Sequence, residues 1–192
     1  MSAPGERARL FVALDLPGEV RDRLAAWRDE VVAGVPGLRP VAVESLHVTL
    51  CFLGSVEVGA VDAIASACGV VRGMPAASLT VRRGIWLPAR RPGVLAVELL
   101  DDGERLGAVQ AALSEALAAG GWYTPEKRPF LAHVTVARVG KGVRVRRGTG
   151  LPSVPADLSF CGSTVTLFRS WLSGAGARYE GLASVETSRP NE

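Results

Sequence analysis

The tripeptide His-Val-Thr occurs at 47–49 and again at 133–135, and it uses both histidines of this 192-residue chain. The two copies are 133 − 47 = 86 residues apart. The same offset relates three further features: Phe11–Asp15 (FVALD) to Val97–Asp101 (VELLD), Pro17 to Gly103, and Gly54 to Gly140. Because one offset aligns several features, we expect an internal duplication. The chain would then be a single domain, 1–192, made of two similar lobes with HxTx motifs at 47–50 and 133–136.

The hydrophobic pattern predicts the order strand–helix–strand in each half. Helices are predicted at Glu19–Val32, Val58–Val71 and Gly103–Ala119. Strands are predicted at Arg9–Asp15, Leu46–Leu53 (ended by Gly54), Ser78–Leu87, Val94–Leu100, Phe130–Val139, Leu158–Cys161, Thr164–Leu172 and Ala177–Ala183, the last two joined by a turn at Gly174–Gly176. This arrangement predicts an α+β fold with two pseudo-symmetric lobes. Each lobe would have a mainly antiparallel sheet flanked by helices, and a ligand site would lie in the cleft between the lobes.

Composition restricts the class of protein. The chain is 48% hydrophobic and 21% charged, which is typical of a globular domain. Its three cysteines are widely spaced and odd in number, so we expect a reducing, cytoplasmic environment, with Cys51 and Cys161 as core thiols. We find no signal peptide and no apolar run of about 18 residues, so we expect no membrane segment, and we expect a monomer. The arginine excess suits phosphate contacts, although codon bias explains it equally well.

The spacing of the repeated tripeptide determines which side chains point the same way. Residues i and i+2 of a strand share a face, so His47 projects with Thr49, and His133 projects with Thr135. Two imidazoles can act together as a general acid and a general base near neutral pH. Two threonine hydroxyls can donate hydrogen bonds to phosphoryl oxygens. The four residues therefore suit in-line displacement at phosphorus without a metal ion.

Other chemistries lack the residues they need. A zinc site requires three or four ligands, and no cysteine or carboxylate stands at ligand spacing from the histidines. The GxSxG nucleophile elbow is absent, as are the GxGxxG and GxxxxGK[ST] nucleotide loops. We therefore expect no metal and no cofactor.

The two motifs resemble those of the 2H phosphoesterases, which are named for their paired HxTx histidines. The resemblance is greatest to the bacterial and archaeal RNA 2′,3′-cyclic phosphodiesterases, also called 2′-5′ RNA ligases. It covers nearly the whole chain, through RLFVALDLP at 9–17, LHVTLCFLG at 46–54, RPFLAHVTVAR at 128–138 and LFRSWLSGAGARYEGL at 167–182. One departure is Ala132, where the family usually has proline, and it should alter the stiffness of the backbone rather than the chemistry.

The resemblance implies a function and a role for each residue. It implies hydrolysis of an RNA or nucleoside 2′,3′-cyclic phosphate to a 2′-phosphate in the central cleft. His47 would be the general acid and His133 the general base, a choice that the symmetry of the sequence leaves open. Thr49 and Thr135 would bind the phosphoryl oxygens. Arginine is common in the family at the position of Arg138, which would also bind phosphate.

Several further residues are candidates for contact with RNA. Phe11 is a candidate for stacking on a base, or else a core residue of the first strand. Trp86 and Trp122 have the same two interpretations. The basic residues near 82–91 and 141–147 are candidates for contact with an RNA backbone, or else a solvated surface. Two alternative functions stay open: the reverse joining of tRNA half-molecules through a 2′-5′ linkage, and binding of RNA ends without catalysis.

Overall fold

The computed structural model describes residues 5–146, 148–155, 157–173 and 176–188. The helices in these ranges are α1 (Gly18–Gly34), α2 (Val61–Cys68) and α3 (Arg105–Ala119). The strands are β1 (Arg7–Asp15), β2 (Leu38–Pro40), β3 (His47–Glu57), β4 (Ala77–Leu87), β5 (Val94–Asp102), β6 (His133–Val139), β7 (Ser159–Gly162), β8 (Thr164–Ser173) and β9 (Gly176–Glu186). Gly174 and Ala175 of the predicted turn lie outside the described residues.

The described strands form one antiparallel sheet, which confirms the predicted α+β class. Their order is β7-β4-β5-β6-β3-β1-β8-β9, and β2 pairs with β6 as well. The N-terminal motif strand β3 meets the C-terminal motif strand β6 through the pair Val48–Val134. Beyond this pair the same edge of β6 is occupied by β2, whose Leu38 lies opposite Val139. Two separate lobes flanking a cleft stay a prediction, because both halves of the chain contribute to one continuous sheet.

The helices cover one face of the sheet and leave the other face open. The predicted helical spacing in α1 is confirmed, because its buried residues include Val20, Leu24, Trp27 and Val31. They join one hydrophobic core with the apolar face of α3 and with Val48 and Val134, which are both 0% exposed. Side chains alternate along a strand, so His47 and Thr49 point away from this core. The motif side chains therefore lie on the face that the helices do not cover.

The strand pairing corrects one part of the predicted repeat. In β1 and β3, Asp15 lies opposite His47, whereas in β5 and β6 Glu98 lies opposite His133. The structural equivalent of Asp15 is thus Glu98, 98 − 15 = 83 residues on, and the predicted match with Asp101 is wrong. Asp101 has another role, because its carboxylate accepts hydrogen bonds from the backbone of Leu106 at 3.0 Å and of Gly107 at 2.8 Å. It caps the first turn of α3.

Three other predictions need revision. Gly54 does not end the second strand, because its positive φ of 73° accommodates an irregularity in the pairing and β3 continues to Glu57. The predicted helix Val58–Val71 is a single α-helical segment, Val61–Cys68, between two short 3-10 turns. Cys51 is buried, but Cys161 is exposed because β7 forms an edge of the sheet. Across the described residues, no helix is both long enough and apolar enough to span a bilayer.

Candidate active site

Both motif histidines are held in the same way by the backbone. His47 donates its Nδ1–H to the carbonyl oxygen of Ser45 at 2.8 Å, and His133 donates its Nδ1–H to the carbonyl oxygen of Leu131 at 2.8 Å. In each case the acceptor belongs to the residue two positions before the histidine. This hydrogen bond fixes the tautomer and leaves Nε2 as the nitrogen that can exchange a proton with a ligand.

The pair Val48–Val134 brings the two motifs side by side. Because the strands are antiparallel, His47 lies on the Thr135 side of this pair and Thr49 lies on the His133 side. The structure therefore brings the four predicted polar residues together on the open face of the sheet. His47 Nε2 also accepts a hydrogen bond from the hydroxyl of Thr49, at 3.1 Å.

The ring of His47 is enclosed by aromatic side chains. Its centroid lies 4.9 Å from that of Phe11, 5.4 Å from that of Tyr179 and 6.3 Å from that of Phe168. Burial lowers the pKa of His47 to about 4, although the Ser45 hydrogen bond acts in the opposite direction. The positive charge of Arg138 contributes further to the lowering. His47 is consequently neutral at pH 7 in the free protein.

Arg138 lies on the same face as the histidines because β6 contains a bulge. The pairing with β5 shifts by one residue after Thr135, and the next two residues, Val136 and Ala137, are both buried. The alternation is thereby reset, and the exposed Arg138 follows His133 and Thr135 on the open face. Its positive charge acts to lower the pKa of His47. Arg138 is therefore on the same face as the two motifs, and binding of phosphate by its side chain stays a prediction.

Phe11 supports His47 rather than offering a free ring. It is only 4% exposed, and it stacks on Phe168 with a centroid distance of 5.2 Å. Stacking of Phe11 on a substrate base stays a prediction, and the burial of its ring argues for the alternative, a packing role. Tyr179, which the sequence did not single out, is partly exposed and contacts both His47 and Phe11. It lies in the C-terminal hairpin, a region that local sequence patterns do not connect to residue 47.

The sequence also did not predict that an acidic residue lies beside each histidine. Asp15 is the cross-strand neighbour of His47, and it accepts a hydrogen bond from the Thr166 hydroxyl at 2.8 Å. Its other oxygen, Oδ1, is buried without a hydrogen-bond partner among the described residues. Burial raises the pKa of Asp15, while the Thr166 hydrogen bond and the charge of Arg21 act to lower it.

Glu98, the neighbour of His133, is in a different electrostatic environment. It is 7% exposed, and its carboxylate receives hydrogen bonds from Arg82 Nη1 at 2.9 Å and from Arg83 Nε at 2.6 Å. Burial acts to raise the pKa of Glu98, but Arg83 and Arg82 outweigh it and hold the pKa below its ordinary value. Glu98 is therefore ionised and paired at neutral pH.

The remaining candidates have other surroundings. Trp86 is partly buried and donates its Nε1–H to the carbonyl oxygen of Thr149 at 3.1 Å, and Trp122 packs against the hydrophobic core. Arg90 and Arg91 are exposed in the loop between β4 and β5. In the segment 141–147, Arg147 lies outside the described residues.

Comparison with known proteins gives a consistent result. Residues 14–95 match the family described as LigT like phosphoesterase. The RNA 2′,3′-cyclic phosphodiesterase of Escherichia coli (strain K12) is 29% identical over 185 residues, which is 92% of this chain and 95% of that protein. The protein of the same name from Thermotoga maritima is 33% identical over 135 residues, which is 68% of this chain and 70% of that protein.

A solved structure agrees in fold over nearly the whole chain. The crystal structure of E. coli LigT in apo form superposes with a TM-score of 0.80 at 29% identity, and the match covers 96% of this chain and 99% of that chain. The same protein complexed with 3′-AMP gives a TM-score of 0.77 at 29% identity, covering 95% of this chain and 99% of that chain. From these matches in sequence and structure, the chain belongs to the LigT-like phosphoesterase family.

Proposed function

We propose that this chain hydrolyses the 2′,3′-cyclic phosphate at an RNA end, or in a small cyclic nucleotide, to a 2′-phosphate. The observation that carries the proposal is the Val48–Val134 pair, which puts both motifs on one open face. With both Nδ1 atoms bonded to backbone carbonyls, two Nε2 atoms are available for proton transfer. The activity named for the E. coli and T. maritima relatives supports the same reaction. We further propose that residues 1–192 act as one domain with two duplicated halves.

The proposed reaction gives each side chain one role, with the acid and base roles of the two histidines divided as the family resemblance implies. His133 Nε2 removes a proton from a water molecule, whose oxygen forms a bond to phosphorus. The bond between phosphorus and the 3′-oxygen breaks, and His47 Nε2–H protonates that oxygen, so the phosphate stays on the 2′-oxygen. Thr49 and Thr135 donate hydrogen bonds to the non-bridging oxygens, and Arg138 balances their growing negative charge. No step in this scheme requires a metal ion or a cofactor.

The protonation state of His47 places a condition on this scheme. With a pKa of about 4, only about one molecule in a thousand carries a protonated His47 at pH 7 before substrate binds. The acid role therefore requires that the negative charge of the bound phosphate raises this pKa. A neutral His47 is also the form that a general base needs, so the exchanged assignment is the alternative that an experiment must exclude. The two assignments can be distinguished, because a substrate with a better leaving group restores turnover only in the variant that lacks the general acid.

A substrate with sulfur in place of the 3′-oxygen distinguishes the two assignments. A thiolate leaves without help from a general acid, so this substrate restores turnover when only the acid is missing. With His47 as the acid, His47→Ala regains most of its lost rate on the sulfur substrate, whereas His133→Ala does not. Rescue of His133→Ala alone would assign the acid role to His133 and the base role to His47.

Product analysis tests the function itself. We expect the wild-type protein, in the presence of EDTA, to convert 2′,3′-cyclic nucleotides and cyclic-ended RNA to 2′-phosphates, and to leave 3′,5′-cyclic nucleotides intact. A 3′-phosphate product, or loss of turnover in EDTA, would contradict the proposal. Accumulation of a 2′-5′ linked product from tRNA halves would favour ligation, and tight binding without turnover would favour a binding module. A monomeric state and a cytoplasmic location stay predictions.

A further inference from the structure

Two arginines lie on the active-site face one strand beyond the acidic neighbour of His133. In β4 the pairing with β5 shifts between Val81 and Arg83, so Arg82 is an extra residue at a bulge. Arg83 lies directly opposite Glu98, which in turn lies opposite His133. Cross-strand neighbours project from the same face of a sheet, so Arg83, Glu98 and His133 form a row across three strands.

Glu98 holds both guanidinium groups in place. Its side chain is 9% exposed, whereas the side chains of Arg82 and Arg83 are 55% and 63% exposed. Each arginine uses one nitrogen for the carboxylate, so most of its N–H donors remain available to a ligand. Because the carboxylate already orders the two side chains, a ligand would not bear the entropic cost of ordering them.

The charge of this group is suited to an anion. Two guanidinium groups share one carboxylate, which leaves one net positive charge on a surface that water can reach. Planar guanidinium groups with several free donors bind phosphate oxygens well.

The distance from the reaction centre indicates which phosphate would bind. Adjacent strands lie about 4.8 Å apart, so the Cα atom of Arg83 is about 10 Å from that of His133. The long arginine side chains can extend over part of this distance. A phosphate on the 5′-oxygen of the nucleoside that carries the cyclic group lies one ribose away from the reacting phosphorus. The separation of these two phosphates matches the separation of Arg83 and His133 better than that of a phosphate several nucleotides away.

We propose that Arg82 and Arg83, oriented by Glu98, bind the 5′-phosphate of the terminal nucleoside, which in RNA is the last internucleotide phosphate. This inference rests on the proposed function, since it identifies the part of the substrate next to the cyclic group. It makes the arginine pair a specificity determinant that favours RNA ends over cyclic mononucleotides.

The test compares two small substrates that differ only at the 5′-oxygen. One is a nucleoside 2′,3′-cyclic phosphate with a free 5′-hydroxyl, and the other carries a 5′-phosphate as well. We expect wild-type kcat/KM to be about tenfold or more higher for the phosphorylated substrate, since a charge-assisted contact contributes about that factor. In the double variant Arg82→Gln and Arg83→Gln, the preference disappears through a higher KM, with kcat little changed.

Two further variants keep the test decisive. Arg90→Gln with Arg91→Gln removes the same charge from the neighbouring loop and is expected to retain the preference. The double variant leaves Glu98 buried without its partners, so a triple variant that adds Glu98→Gln replaces it if the double variant does not fold. The triple variant is expected to lose the preference as well.

The possible outcomes separate this inference from the proposed function. If the wild type hydrolyses both substrates equally, or if the preference survives in the folded double or triple variant, the arginine site is wrong and the proposed function stands. If the wild type hydrolyses neither substrate, the proposed function is wrong and the arginine site falls with it. Loss of the preference in the arginine variants, with the loop variant unaffected, supports the site.

Discussion

The burial of His47 makes a quantitative prediction about acid stability. Its pKa falls from the ordinary 6.5 to about 4 on folding, mainly because the aromatic pocket desolvates the ring. The unfolded chain therefore takes up a proton at a higher pH than the folded protein does. The stabilisation is complete above pH 6.5 and is lost as the pH falls towards 4. At pH 4.5 the loss due to His47 alone is about 2.5 kcal/mol of unfolding free energy.

Urea unfolding at pH 7.5 and pH 4.5 measures this loss. His47→Gln removes the titrating group, so the variant is expected to lose about 2.5 kcal/mol less than the wild type between the two pH values. Thr135→Val is the matched control, because it alters a neighbouring polar side chain that does not titrate and should keep the wild-type pH dependence. An equal loss in wild type and His47→Gln would refute the claim that the pocket holds His47 neutral.

Three further changes have definite expected outcomes. Asp15→Asn should raise the urea midpoint at pH 7. Burial raises the pKa of Asp15, so the wild type loses stability as the pH rises through the pKa of the folded protein. The stability gained by the variant should therefore vanish at low pH, where Asp15 is protonated. Arg138→Gln removes a positive charge that lowers the pKa of His47, so it should raise this pKa in an NMR titration of the His47 ring protons. It should also weaken competitive inhibition by inorganic phosphate. An unchanged pKa of His47 would mean that the two side chains are not close. Gly84→Ala should cost about 1–3 kcal/mol in urea unfolding, because a Cβ atom there would lie 2.7 Å from the Trp27 ring, whereas Gly34→Ala, with no atom within 4 Å, should cost little.

Local sequence patterns predicted most of the helices and strands and the faces to which the two motifs point. The helical spacing of Val20, Leu24, Trp27 and Val31 corresponds to the buried face of α1. The repeated His-Val-Thr tripeptide indicated which side chains share a face, since alternation along a strand is a local property. The strand pairing then brought His47 and His133 into one group, as the repeat suggested.

Features that depend on pairing between distant segments could not be predicted from local patterns. The three-residue strand β2 has no hydrophobic alternation of its own, and it is defined only by its pairing with β6. Asp101 resembled the counterpart of Asp15, but the register of β5 against β6 gives that position to Glu98. Tyr179 reaches His47 only because β9, β8 and β1 are consecutive in the sheet. To predict each of these three features, one must know which residues of the paired strands lie opposite each other. The sequence repeat limits that register but does not determine it.

The central claim is that His47 and His133 form one catalytic site for a 2′,3′-cyclic phosphate. The most direct test is the initial rate of 2′-phosphate formation in EDTA for the wild type, His47→Ala, His133→Ala and the double variant, each checked for folding by circular dichroism. We expect each single variant to lose roughly 10²–10⁴-fold in kcat/KM, the usual contribution of one general acid or base, and the double variant to lose at least as much. A folded single variant with activity within a few-fold of the wild type would contradict the claim.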